Sequence, residues 1–274
     1  MKILLLLDAM KFNKEQLEFP AYISQIGKGT LTALFLENLY DSDTVLVKYS
    51  DLAVSKNPYR EDLDKKKALI EKNIRLYTQA CKEIGLSGSL MRAGDLMVKE
   101  TIDASRFADL LLISPNLSFE VGNEIIPTRF AEDVLSETQC PAIVMPVLMR
   151  EIKEVYFTYN GSYSSVYAIR QFTNLFPLLR DSKVTVLYVP ENNEENMIHT
   201  EYIKEYLRHH YSTVEFKILS GNPKNAIFSY LVKQKDCLVT FGAYGRSKFS
   251  QFFKKSKAES ILKTLDMPVF ITHP

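Results

Sequence analysis

The chain has 274 residues, 46% of them hydrophobic, which is enough apolar material for one large core or two ordinary ones and too much for a disordered chain. Its 34 Lys and Arg against 33 Asp and Glu leave a formal charge of +1, so the basic field needed for sequence-independent nucleic-acid binding is missing. Cys81, Cys140 and Cys237 lack the paired spacing of a disulfide framework or a zinc site and read as small core residues of a reducing compartment.

In chain order, Ile3–Leu7 is an apolar run that stops at Asp8. It is shorter than the roughly 7–15 residues of a signal-peptide core and far below the ~20 of a membrane span, so a cytoplasmic protein without a membrane anchor is expected. The run reads as a first strand buried on both faces, followed by strands at Leu31–Leu36, Leu110–Ile113 and Ala142–Val147. Leu63, Ile70, Ile74, Tyr77, Cys81 and Ile84 recur at helical spacing. Residues Ser50–Asp64, with Pro58 and many charges, form an inserted segment, either an exposed loop or the lead-in to that helix. Beyond a short linker near Val147–Lys153 come strands at Val155–Tyr159, Val184–Val189, Val214–Leu219, Leu238–Phe241 and Val269–Thr272. Helical stripes separate them, carried by Val166, Ile169, Phe172 and Phe176, then Ile203, Tyr206 and Leu207, then Ala226, Ile227, Tyr230 and Leu231, then Ala258, Ile261, Leu262 and Leu265.

The halves repeat one another. A shift of 127 residues lays Gly94 on Gly221, Asp109–Leu112 on Asp236–Val239, Ala131-Glu132 on Ala258-Glu259 and Pro141 on Pro268, whereas Asp8 meets Asn160 only at a shift of 152. About 25 additional residues therefore lie between the first and third strands of the first half. Alternating strands and helices imply right-handed crossovers and parallel sheets covered on both faces. The expected fold is α/β: two Rossmann-like, doubly wound, five-stranded parallel sheets in tandem, with domains at 1–149 and 150–274.

Ligands of open parallel sheets bind beyond the carboxyl ends of the strands where strand order reverses. In the second half this selects Asn160-Gly161-Ser162 and the loop Gly242-Ala243-Tyr244-Gly245-Arg246-Ser247, whose two glycines let backbone N–H groups converge on an anion such as phosphate. The opening strand with Asn160-Gly161-Ser162, the Gly242-x2-Gly245-Arg246-Ser247 loop with Ser256 beyond it, and the closing Pro268-Val269-Phe270-Ile271 together resemble the universal stress protein family, over essentially the whole chain as a tandem pair. The resemblance implies an ATP or other adenine-nucleotide site in the second half. By position, Asn160 and Val189 would hold the adenosine, and Gly242, Gly245 and Ser256 the phosphates. Asn160 stands where the family has Asp, and Lys255 where it has a third glycine; with Lys254 and Lys257 it brings three ammonium groups near the expected phosphates. In the first half Asp8 is kept, but Pro115, Ser118 and Arg129 stand opposite Gly242, Gly245 and Ser256. Pro115 has no N–H to offer, so that phosphate loop is degenerate.

Plainer readings exist for each residue. Ser256-x-x-Glu259 is a helix-capping box, Gly242 and Gly245 can simply turn the chain after a strand, Gly221-Asn222-Pro223 reads as the turn into a helix, and the lysines can form a solvated face. Asp8 can cap a helix as readily as bind a ligand. No P-loop, G-x-S-x-G or H-E-x-x-H motif is present. The adjacent His209 and His210 would point about 100° apart on a helix, so no metal is expected beyond magnesium accompanying a nucleotide. The expected function is a nucleotide-responsive stress protein acting through an unidentified protein partner. The halves would pair with each other, with a homodimer as a further option; a ligand-free scaffold and a slow ATP hydrolase are the alternatives.

Overall fold

Strands with no polar face need cover on both sides, and the first strand is buried from Ile3 to Asp8. The computed structural model describes residues 1–39, 58–94, 96–120, 126–190, 197–242 and 267–274. The strands are β1 (Lys2–Asp8), β2 (Thr30–Leu36), β3 (Gly88–Ala93), β4 (Leu110–Ile113), β5 (Ala142–Val144), β6 (Glu154–Tyr159), β7 (Lys183–Tyr188), β8 (Thr213–Ile218), β9 (Cys237–Gly242) and β10 (Val269–Thr272). The helices are α1 (Glu18–Ile26), α2 (Pro58–Glu83), α3 (Met97–Ser105), α4 (Arg129–Glu137), α5 (Tyr163–Leu175), α6 (Thr200–His210) and α7 (Pro223–Leu231).

The strands lie in the order β3-β2-β1-β4-β5-β10-β9-β6-β7-β8. Each five-strand half is doubly wound and parallel, as expected. The two sheets are nevertheless one: β10 runs antiparallel to β5, pairing Val269 with Val144, Phe270 with Ile143 and Ile271 with Ala142. Both strands are fully buried. Left apart, they would be apolar edges open to further pairing, and joining them removes both.

Alternation along the strands feeds two cores. Ile3, Leu5 and Leu7 enter one cluster and Leu4 and Leu6 the other, and both clusters run across the seam. The repeat holds at the level of elements: β4 and β9 begin at Leu110 and Cys237, β5 and β10 at Ala142 and Val269, and β1 and β6 at Lys2 and Glu154. The inserted residues fall between β2 and β3, where α2 has 26 residues against 11 in α6. Pro58–Asp64 opens α2; residues 50–57 lie outside the described residues, as does the helix expected around Ala258–Leu265.

Several elements differ from the expectations. β3 reads Gly-Ser-Leu-Met-Arg-Ala and lies at the edge of the sheet with only Ala93 buried, so the apolar signal of an inner strand is missing. β5 stops at Val144, before Val147: Met145 N–H still donates to Ile113 O (2.9 Å), but Pro146 has no N–H to continue the ladder. The short helices α1, α3 and α4, each of nine residues, bury only three or four side chains apiece, too little to set a clear period. Gly221-Asn222-Pro223 is the expected helix-start turn: Asn222 accepts from Asn225 N–H (3.3 Å), and Pro223 occupies the first turn.

All three cysteines are free and buried. Burial pushes the Cys140 thiol up to about 11 and Cys237 up to about 12. A thiol-reactive disulfide reagent at about pH 8 is therefore expected to leave both unmodified in the native protein and to label them only as fast as the chain unfolds. At the seam, Phe270 is wholly buried and meets Phe172 edge-on, with ring centroids 5.3 Å apart. Phe270→Ala is expected to cost ~3–5 kcal/mol in denaturant unfolding, and a loss below about 1 kcal/mol would show that the seam is not part of the cooperative core.

Candidate functional site

Two crevices meet the strand-order criterion: one past the carboxyl ends of β6 and β9, the other past β1 and β4. Both begin with the same device. Asn160 Oδ1 accepts from Ser162 N–H (3.1 Å), and Asp8 Oδ1 accepts from Met10 N–H (2.9 Å), so the residue after each leading strand closes a tight side-chain turn on the residue two positions on. From there the halves part.

In the second half the turn leads directly into α5. Ser162 Oγ donates to Asn160 Oδ1 (2.6 Å) and caps the helix by accepting from Ser165 N–H (3.3 Å). The Asn160 carbonyl oxygen is thus fully engaged within the turn. Gly161 sits at φ +76°, and a side chain there would also strike Ile198. The first turn of α5 presses onto the end of β9, where a Cβ added to Gly242 would lie 2.1 Å from Ser164 O and 2.7 Å from Ser165 N. The obstacle is backbone, which cannot swing aside. Gly242 is therefore required by helix–strand packing, a role distinct from both the anion-loop and the simple turn readings.

Because β6 lies between β7 and β9, Asn160, Val189 and Gly242 are brought to the carboxyl ends of three adjacent strands. Val189 follows β7 and is buried. Gly245, Lys255 and Ser256 lie outside the described residues, as do Lys254, Lys257 and the Ser256–Glu259 capping box.

In the first half the chain after Asp8 does not wind at once into a helix. Asn13 and Gln16 form a capping box, with Asn13 Oδ1 accepting from Gln16 N–H (3.2 Å) and Gln16 Oε1 from Asn13 N–H (3.0 Å). This starts a 3-10 turn at Lys14–Leu17, and α1 begins only at Glu18. Two long-range contacts draw the segment toward α2 and β2. The buried Phe12 ring lies 6.0 Å from Phe35 and 5.8 Å from Tyr77, and Asn73, 4% exposed on α2, donates to Ala9 O (2.9 Å). The β4 side is left uncovered. A cavity of about 570 Å³ opens there, lined by Asp8 and Lys11 from the β1 side, Asn116 and Leu117 beyond β4, and Met145 and Met149 beyond β5.

In the loop beyond β4, several polar groups are engaged close by. Ser114 takes Asn116 N–H on Oγ (3.3 Å) and Leu117 N–H on its carbonyl (3.2 Å). Thr128 N–H donates to Pro115 O (3.0 Å), and the Thr128 hydroxyl donates to Leu117 O while accepting from Ala131 N–H (3.3 Å) to cap α4. With Pro115 lacking an N–H and those of Asn116 and Leu117 held by Ser114, these residues have no amide to turn toward an anion. The carboxylate of Asp8, 6% exposed, faces Lys11 Nζ at 3.2 Å through Oδ2.

Sequence reasoning identified Asp8 but missed Lys11 and the cavity. The Asn13-x-x-Gln16 spacing was the available signal, since it displaces the helix start. Among the described residues no His, Cys, Asp and Glu group could hold a metal ion, and no helix is long and apolar enough to cross a membrane.

By sequence, no protein-family model and no curated protein matches the chain. By structure, it is similar to a universal stress protein from Archaeoglobus fulgidus, with TM-score 0.73 and 18% identity over 99% of this chain and 98% of that one. It is also similar to a functionally unknown protein of Pseudomonas aeruginosa, with TM-score 0.61 and 14% identity over 100% and 92% of the two chains. The fold is that of the two-domain universal stress proteins.

Gly242→Ala is expected to destabilise the protein without any ligand by at least ~1–3 kcal/mol, through overpacking against Ser164. Unchanged unfolding by this variant would remove the packing role and return Gly242 to the loop.

Proposed function

We propose that the chain works as a cytoplasmic, nucleotide-responsive binding protein built of two universal-stress-type domains, 1–149 and 150–274, with an adenine nucleotide held mainly by the second. The observation that supports this best is the convergence of Asn160, Val189 and Gly242 on one sheet end, at the strand reversal of a fold shared along the chain's whole length with a universal stress protein. In this reading the base and ribose lie over Asn160 and Val189, and the phosphates reach Gly245, Lys255 and Ser256. Magnesium enters only with the nucleotide. The turn uses the Asn160 side-chain oxygen as its acceptor, so in this reading Asn160 would meet the ligand through its amide N–H groups. The chemistry required is recognition alone: a nucleotide that favours one conformation of the protein changes the surface a protein partner reads, by population shift.

A second reading, a scaffold that binds no nucleotide and acts through protein contacts, draws on the Gly242 packing: that glycine is needed with or without a ligand. Calorimetry of the full chain with ATP, ADP and AMP separates the two. Binding weakened by Lys255→Glu but little changed by Asp8→Asn is expected. No heat at millimolar nucleotide would overturn the nucleotide reading in favour of the scaffold.

A further inference from the structure

We propose that the first-half cavity is a site for a small organic cation, an ammonium or amidinium group carried on an apolar body, which takes the place of Lys11 beside Asp8. This is independent of any nucleotide in the second half. The cavity, about 570 Å³, falls within the roughly 300–1,000 Å³ of small-molecule sites. Among the described residues its ionisable lining is Asp8, Glu15 and Glu18 with Lys11, three carboxylates to one ammonium. Glu15 and Glu18 are exposed, whereas Asp8 is nearly enclosed. A phosphate-bearing ligand would meet negative charge at the rim and, at the β4 loop, a proline without an N–H and the Asn116 and Leu117 amides already held by Ser114. A cation would be drawn to the carboxylates and meet no opposing charge at the loop residues described.

The contact between Asp8 and Lys11 makes the exchange feasible. A nearly buried carboxylate needs a positive partner, and here the partner comes from the neighbouring turn on a side chain that is 72% exposed. An ammonium held this loosely contributes little, because an exposed flexible chain gives up entropy to stay in place. A ligand cation can displace it while Asp8 Oδ1 keeps its bond from Met10 N–H. The surroundings supply the apolar half of the recognition: Phe19, Leu117, Met145 and Met149 line the same space, and methionines adapt to flat or irregular ligand bodies.

The test is calorimetric titration of the full-length protein with benzamidine and with benzoate, which share size and shape but carry opposite charge. Benzamidine is expected to bind at least about tenfold more tightly than benzoate. Asp8→Asn, which keeps the acceptor for Met10 and removes the charge, should weaken benzamidine by about ten- to a hundredfold. Lys11→Ala, a change on the surface, should tighten it by about two- to fivefold by removing the internal competitor. Equal binding of benzoate, or weaker benzamidine binding in Lys11→Ala, would overturn the proposal even if Asp8→Asn failed to fold. Loss of nucleotide binding alone would leave it standing.

Discussion

The backbone pairing of β10 against β5 is the constraint on which the rest of the molecule is arranged. Three antiparallel residue pairs tie two doubly wound halves into one ten-strand sheet, so neither hydrophobic core ends at the boundary between the repeats. The joint also sets where the linker can run. Ile152 N–H donates to the Tyr22 hydroxyl of α1 (2.9 Å), and burial raises the pKa of that phenol, so it remains protonated. The entrance to the second half is thereby fastened to a helix of the first. The start of β6 is anchored in turn, since Lys153 N–H donates to Asp236 O (2.8 Å). In the other half Asp109 Oδ2 receives Lys2 N–H (2.7 Å), so the acid preceding each fourth strand holds the start of the leading strand, by its carboxylate in one half and by its main-chain carbonyl in the other.

With the frame so constrained, the two crevices differ because of the few residues just past each leading strand. Asp8 and Asn160 close the same side-chain turn, and the divergence starts immediately beyond it. Ser162 caps α5 at once, and the helix comes down on β9 until its backbone touches Gly242. Phe12 instead enters the core between Phe35 and Tyr77, while the Asn13–Gln16 box postpones the helix. A buried ring and a displaced cap are enough to turn a packed helix–strand contact into a cavity. Neither change disturbs β1, whose apolar residues are buried on both faces.

The repeat, the inner strands and the α2 stripe through Ile70, Tyr77 and Cys81 were legible in the sequence because each is a periodic pattern of burial, although Ile84, read as part of the stripe, lies exposed beyond the helix end. Edge strand β3 was not, since every residue of Gly88–Ala93 except Ala93 is at least partly open to solvent and its composition reflects solvent instead of the core. At the candidate sites the limit was different. That Gly242 lies at a strand end could be read directly, but the reason for it, Ser164 backbone within reach, sits far earlier in the chain. Asn73 and Ala9 are 64 positions apart, and Phe12 meets Tyr77 at a similar remove. Contacts of this range arise from topology and leave no local pattern.

A single chain carrying both halves has a freedom that a symmetric pair of identical subunits lacks. In a homodimer the same patch must serve both sides of the joint, and any change to one crevice appears in the other. Here only the seam is obliged to match, with Ala142–Val144 facing Val269–Ile271. Beyond it, Pro115 can stand opposite Gly242 and Lys11 can answer Asp8 without consequence for the partner crevice. Among the described residues the first cavity is lined by three carboxylates and one ammonium, a balance that the second half is under no obligation to copy. Freedom to set the charge of each crevice separately is what divergence toward two ligand classes requires, and tandem fusion is the arrangement that permits it.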